Sequence, residues 1–319
     1  MTTFAFVFPG QGSQSVGMLD AWQGHPLVQA TLKEASEALN QDLDKLIAQG
    51  PKEELALTTN TQPVMLVAAV AAYRVWMAEV GLAPAYVAGH SLGEYSALVA
   101  SGVLSLPQAV ALVRLRAQAM QEAVAVGAGA MAAVLGLPAE KVVQVCEQAQ
   151  ASFASDSGEV VQAANFNDPG QTVISGTKQA VEKACEWLKA AGAKRTLPLP
   201  VSAPFHCSLM RPAADRLRDH LGQIDMQTPR IPVINNIDVA VETDVARIRD
   251  ALYRQAFGPV RWVQTIESMQ QLGVSHVVEC GPGKVLAGMV KRISPALHAH
   301  AMFDPQTLSE TKTFLAEQP

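Results

Sequence analysis

Apolar and polar positions alternate along the chain with two different periods. Phe4 to Phe8 is an unbroken run of aromatic and aliphatic residues stopped by Pro9-Gly10, the pattern of a strand buried on both faces. A glycine-rich loop, Gly10-Gln11-Gly12-Ser13-Gln14, follows it. Helical spacing dominates from about Leu27 to Glu79, and Gln62-Pro63 is expected to open an alanine-rich helix whose few polar positions make it central. Ala85 to Gly89 reads as the next strand.

Met131 to Val201 runs through strand, helix, strand twice over. The strands are expected at Met131 to Leu137, Val160 to Phe166, Thr172 to Ser175 and Arg195 to Val201, and the helices at Pro138 to Gln150 and Thr177 to Ala191. That βαββαβ order is the ferredoxin-like unit. Gly127-Ala128-Gly129 precedes it, and Pro198, Pro200 and Pro204 mark its end, as suits an insert. Residues 128–201 are therefore expected to form a small domain, with 1–127 and 202–319 forming one large α/β domain. Beyond the insert, Pro232 to Ile237 and Val274 to Cys280 read as strands, with helices at Val245 to Phe257 and Val260 to Leu272. After Ile293 the pattern supports only loop and short helix.

Composition narrows the function. With 49% hydrophobic and 17% charged residues, the 319-residue chain has the profile of a compact globular protein. Its net charge of −5 gives no broad basic field, which argues against nucleic acid as a partner. The four cysteines, Cys146, Cys185, Cys207 and Cys280, lie far apart without a CxxC pair, so neither a disulfide framework nor a zinc site is expected, and a reducing cytoplasm fits. The N-terminus lacks the basic start of a signal peptide, and Val64 to Ala72 is too short to span a membrane, so the chain is read as soluble.

Gly89-His90-Ser91-Leu92-Gly93 matches the GxSxG nucleophile elbow, with a strand before it and a helical run after it. The flanking glycines let the turn close with the serine hydroxyl exposed, and the Leu92 N–H can face a developing oxyanion. The competing reading is a plain helix cap, since Ser91 and Glu94 have capping-box spacing. That reading leaves both glycines and His90 unexplained. The Gly10-Gln11-Gly12 loop matches neither the Rossmann nor the P-loop pattern. The Gln11 backbone N–H is a candidate second oxyanion donor, with an ordinary tight turn as the alternative.

Of the seven histidines, His206 lies in an irregular segment after the last strand of the insert, Ser202-Ala203-Pro204-Phe205-His206-Cys207. It is a candidate base or a structural histidine. His90 adjoins Ser91 on a sharp turn, which suits orienting the loop or substrate. On the helix expected from Leu106 to Met120, Arg114 falls on the polar side and Arg116 on the apolar arc. A buried guanidinium needs a partner: either an internal carboxylate, or the free carboxylate of a dicarboxylic acyl substrate.

These motifs together resemble the malonyl-CoA:acyl carrier protein transacylases of the bacterial type II fatty acid synthase. The resemblance is carried by Phe6 to Gln14, Gly89 to Tyr95, Asn165 to Gln171, Pro204-Phe205-His206, Asn235-Asn236 and Gly281 to Lys284. It implies a hydrolase-like parallel-sheet α/β core with the ferredoxin-like insert, and a cleft holding Ser91, His206 and Arg116. It further implies an oxyanion hole from the Gln11 and Leu92 amides, His206 held by the main-chain carbonyl of Gln255, and Gln62 lining the cleft. Phe205 before the histidine goes with malonyl rather than methylmalonyl. The implied reaction is ping-pong transfer of malonyl from malonyl-CoA to holo acyl carrier protein through a malonyl-serine, by a monomer without metal or cofactor. A basic rim for the acidic carrier is expected among Lys189, Lys194, Arg195, Lys284, Lys291 and Arg292. The competing functions are a serine esterase or thioesterase, which ordinarily keeps a carboxylate between serine and histidine in chain order, and a non-catalytic carrier-docking protein.

Overall fold

The computed structural model describes residues 3–316. Its strands are β1 (Phe4–Phe8), β2 (Tyr86–Gly89), β3 (Gly129–Leu135), β4 (Val161–Asp168), β5 (Gln171–Thr177), β6 (Arg195–Pro198), β7 (Val233–Ile234), β8 (Val241–Glu242), β9 (His276–Cys280) and β10 (His298–Met302). They form a six-stranded sheet ordered β10-β9-β1-β2-β7-β8 and a four-stranded sheet ordered β4-β5-β3-β6. The first is parallel from β10 to β7, and β8 closes it antiparallel.

The alternation within β1 shows why a continuous apolar run was required. Phe4, Phe6 and Phe8 point to one side, where Phe6 meets Tyr73 and Trp76 edge-on at 5.9 and 5.6 Å. Ala5 and Val7 point to the other side, into a second core with Val260, Trp262 and Ile266. Both faces of the sheet are thus covered, as parallel strands demand. The helix Thr58–Glu79 is buried nearly all round and fills the first core. It begins ahead of Gln62-Pro63 rather than at it. A proline near a helix start forfeits only one backbone bond, so Pro63 is tolerated inside.

The four-stranded sheet is antiparallel throughout. In chain order its strands and the helices Ala139–Ala151 and Lys178–Ala190 run βαββαβ, with the first and third strands central, the ferredoxin-like arrangement. The apolar faces of both helices pack on this sheet in a core of their own.

The C-terminal stretch corrects the sequence reading. It contributes β10, an edge strand beside β9, and the helix Pro305–Ala316. His298-Ala299-His300-Ala301-Met302 carries little apolar alternation, because its rings serve aromatic packing: His298 stacks on His276 at 4.8 Å and His300 on Phe314 at 5.3 Å. Strands β7 and β6 are also shorter than their apolar patterns suggest. Among the described residues, no helix is long and apolar enough to cross a membrane.

Candidate active site

Ser91 sits at the turn from β2 into the helix Gly93–Ala100 with φ of 54°, the left-handed region. The neighbouring glycines are sterically required. A Cβ on Gly89 would stand 1.8 Å from the Gly93 carbonyl carbon, and one on Gly93 would stand 2.0 Å from the Phe8 oxygen. Ser91 does not cap the helix through its side chain. Its Oγ instead lies 2.6 Å from His206 Nε2.

His206 follows β6 in an irregular segment and also adopts positive φ, 60°. Its Nδ1 is 2.9 Å from the Gln255 carbonyl oxygen and 3.2 Å from that of Gly258. Carbonyls only accept, so the ring proton resides on Nδ1 and Nε2 offers its lone pair to the serine hydroxyl. Burial, then the nearby Arg116 charge, pulls the His206 pKa down to about 3, so the ring is neutral at physiological pH. Among the described residues no side-chain carboxylate orients this ring; carbonyls ending the helix Val245–Phe257 do so.

Arg116, from the helix Leu106–Glu122, is 3% exposed. Its Nη1 donates to Gln62 Oε1 at 2.9 Å, and its Nη2 to Gln255 Oε1 and Ser91 Oγ, each at 3.2 Å. The guanidinium lies 5.5 Å from the Tyr95 ring centroid. Among the described residues no carboxylate pairs with it within 4.0 Å, and its Nε has no partner. Desolvation lowers its pKa, a cost that a bound carboxylate would offset. Arg114, expected to be solvated, is half-buried and donates to Gln41.

Ser91, His206 and Arg116 line one cavity of about 210 Å³, together with Gln11, Gln62, His90, Leu92 and Phe205. Gln255 does not line it. It is fully buried behind the cavity and reaches Arg116, Ser91 and His206 from there. The backbone N–H groups of Gln11 and Leu92 have no acceptor among the described residues. The Gln11 side chain donates to Thr58 Oγ1 at 3.3 Å. His90 Nε2 stands 2.8 Å from Asn167 Oδ1 on β4, tying the elbow to the four-stranded sheet. Burial keeps His90 neutral by lowering its pKa.

Sequence reasoning gave no part in the chemistry to several residues that the structure places at the site. Asn236 Oδ1 accepts the Ser91 N–H at 2.7 Å, Glu94 is buried beneath the elbow, and Gly258 supplies the second carbonyl to His206. Asn236 and Glu94 lie within the quoted motifs, yet nothing in spacing shows where a buried amide points. Of the basic-rim candidates, Lys284 is exposed just before the helix Val285–Ile293, whose residues Val285, Leu286 and Met289 line the cavity. Arg292 is engaged with Asp168 at 2.7 Å.

Comparison with known proteins identifies the family. The family model described as "Acyl transferase domain" matches residues 5–300. The malonyl CoA-acyl carrier protein transacylase of Escherichia coli K12 is 54% identical over 97% of this chain and 98% of its own, and that of Bacillus subtilis 168 is 44% identical over 100% and 99%. The crystal structure of acyl-carrier-protein S-malonyltransferase from Burkholderia pseudomallei 1710b superposes with a TM-score of 0.95 at 59% identity, covering 98% of this chain and 100% of that one. A malonyl-transacylase solved in complex with a type II PKS acyl-carrier protein is 49% identical, with a TM-score of 0.95 and coverage of 98% and 100%. A parallel-sheet α/β core, a serine elbow and near-full-length similarity at these identities place the chain in the malonyl CoA-acyl carrier protein transacylase family of acyltransferases.

Proposed function

We propose that this chain transfers malonyl from coenzyme A to the phosphopantetheine thiol of acyl carrier protein, through an ester on Ser91, in fatty acid biosynthesis. The observation that carries the reading is a buried guanidinium without a carboxylate partner among the described residues, 3.2 Å from a serine hydroxyl that itself lies 2.6 Å from His206 Nε2. Such a site suits an acyl group with a free carboxylate at its far end.

As Ser91 Oγ attacks the thioester carbonyl, its proton passes to His206 Nε2. The oxyanion is received by the Leu92 and Gln11 N–H groups. When the C–S bond breaks, the imidazolium returns the proton to the coenzyme A sulfur. The carrier thiol then loses its proton to His206, its sulfur attacks the ester carbonyl, and Ser91 Oγ recovers the proton as it leaves. Arg116 holds the malonyl carboxylate through both halves, Gln62 and Gln255 steady the guanidinium, and Phe205 limits bulk beside the reacting carbon. His90 orients the elbow rather than moving a proton.

Residues 128–201 are taken as a small domain set into a catalytic unit of 1–127 and 202–319, acting as a monomer in the cytoplasm. The carrier is proposed to dock near Lys284. Initial rates at several fixed carrier concentrations test the mechanism. Parallel double-reciprocal lines are expected for a ping-pong course, and intersecting lines would exclude a free malonyl-enzyme. Malonate release outpacing carrier loading would favour a hydrolase instead.

A further inference from the structure

Beneath the serine lies a buried carboxylate that the proposed reaction does not use. Glu94, 2% exposed, stands in the first turn of the helix Gly93–Ala100 and does not line the cavity. Its Oε2 accepts the Asn236 backbone N–H at 2.9 Å and Gln255 Nε2 at 3.0 Å. These partners grip Ser91 from both sides. Asn236 Oδ1 accepts its N–H at 2.7 Å, and Gln255 Nε2 donates to its carbonyl at 3.0 Å. The other end of the Gln255 amide, Oε1, accepts from Arg116 Nη2 at 3.2 Å.

A primary amide can be seated either way round, and its neighbours decide which. Here a carboxylate and the Ser91 carbonyl, both acceptors, face one end, and a guanidinium, only a donor, faces the other. Reversing the amide would set oxygen against two acceptors and NH₂ against the guanidinium. Glu94 Oε2, already accepting the Asn236 N–H, therefore enforces the sense in which Gln255 meets Arg116.

We infer that Glu94 is a positioning residue that fixes the Gln255 amide and, through it, the aim of the Arg116 guanidinium on which selection of a carboxylated acyl group depends. The inference rests on the reaction proposed above. Its consequence is that preference for malonyl over acetyl depends on a side chain that touches neither acyl group. Glu94→Met keeps the length but carries no oxygen, so Gln255 loses the acceptor that dictates its orientation.

The test is single-turnover acylation of Ser91 by malonyl-CoA and by acetyl-CoA, read by intact mass, in wild type, Glu94→Met, Gln255→Met and the double variant. Glu94→Met is expected to slow malonylation about tenfold or more and acetylation by less than about threefold, lowering the malonyl-to-acetyl ratio. Gln255→Met, which leaves the main-chain carbonyl to His206, is expected to lower the ratio similarly, and the double variant no further than either single. Equal losses with both donors would make Glu94 a support of the fold only and overturn the inference. Unchanged rates, or additive losses in the double variant, would overturn it as well. Should Glu94→Met fail to fold, an undiminished ratio in Gln255→Met overturns it alone. A wild type that takes no malonyl would refute the proposed reaction itself, a distinguishable outcome.

Discussion

Around His206 the roles of both ring nitrogens are set by what each can meet: two carbonyls at Nδ1 and the Ser91 hydroxyl at Nε2. Replacing His206 with alanine is expected to slow Ser91 acylation by about 10²- to 10⁴-fold while leaving a folded protein, checked by stopped mass analysis and thermal melting. At Arg116 the loss should depend on the acyl group. Arg116→Ala is expected to cost malonyl transfer about 3 kcal/mol, roughly a hundredfold in kcat/KM, and to leave acetyl transfer nearly unchanged. A matching loss for acetyl-CoA would mean that the guanidinium serves the serine rather than the substrate carboxylate. Helical spacing alone marks Arg116 as buried, because an apolar arc on a helix is a local property. The partners that meet it, Gln62 and Gln255, come from other helices, and no local pattern records them.

The elbow works only because two elements approach closely. Gly89→Ala would place a methyl 1.8 Å from Gly93, so the turn must open or the strand must shift. The expected result is a loss of several kcal/mol in stability together with loss of acylation, measured by urea unfolding and mass; a melting point equal to wild type would contradict the described geometry. Element by element, the sequence was most legible where burial is two-sided, as in β1 and in the helix Thr58–Glu79, since continuous apolar runs have few other uses. It was least legible at β10, where histidines stack on His276 and Phe314 and mask the alternation. The βαββαβ order could be read because both of its helices carry one clear apolar face.

Two buried groups give the whole molecule opposite responses to acid. His206 has its folded pKa near 3, below its ordinary 6.5, so the unfolded chain binds its proton first and this group weakens the fold as pH falls through that window. Glu94 is raised from 4.5 to about 7, mainly by burial, so its favourable contribution is present below 4.5 and is lost as pH rises through 7. Relative to Glu94→Gln, wild type is therefore expected to lose on the order of 2 kcal/mol between pH 4.5 and 7, seen in urea midpoints, and parallel pH profiles would contradict the sign. At the surface, Lys284→Glu is expected to raise KM for the carrier severalfold and leave that for malonyl-CoA unchanged. The central claim, a malonyl ester on Ser91 selected by Arg116, is tested most directly by the intact mass of the protein after malonyl-CoA without carrier. The account expects one malonyl adduct on wild type and none on Ser91→Ala; an adduct that survives Ser91→Ala, or free malonate without any adduct on wild type, would contradict it.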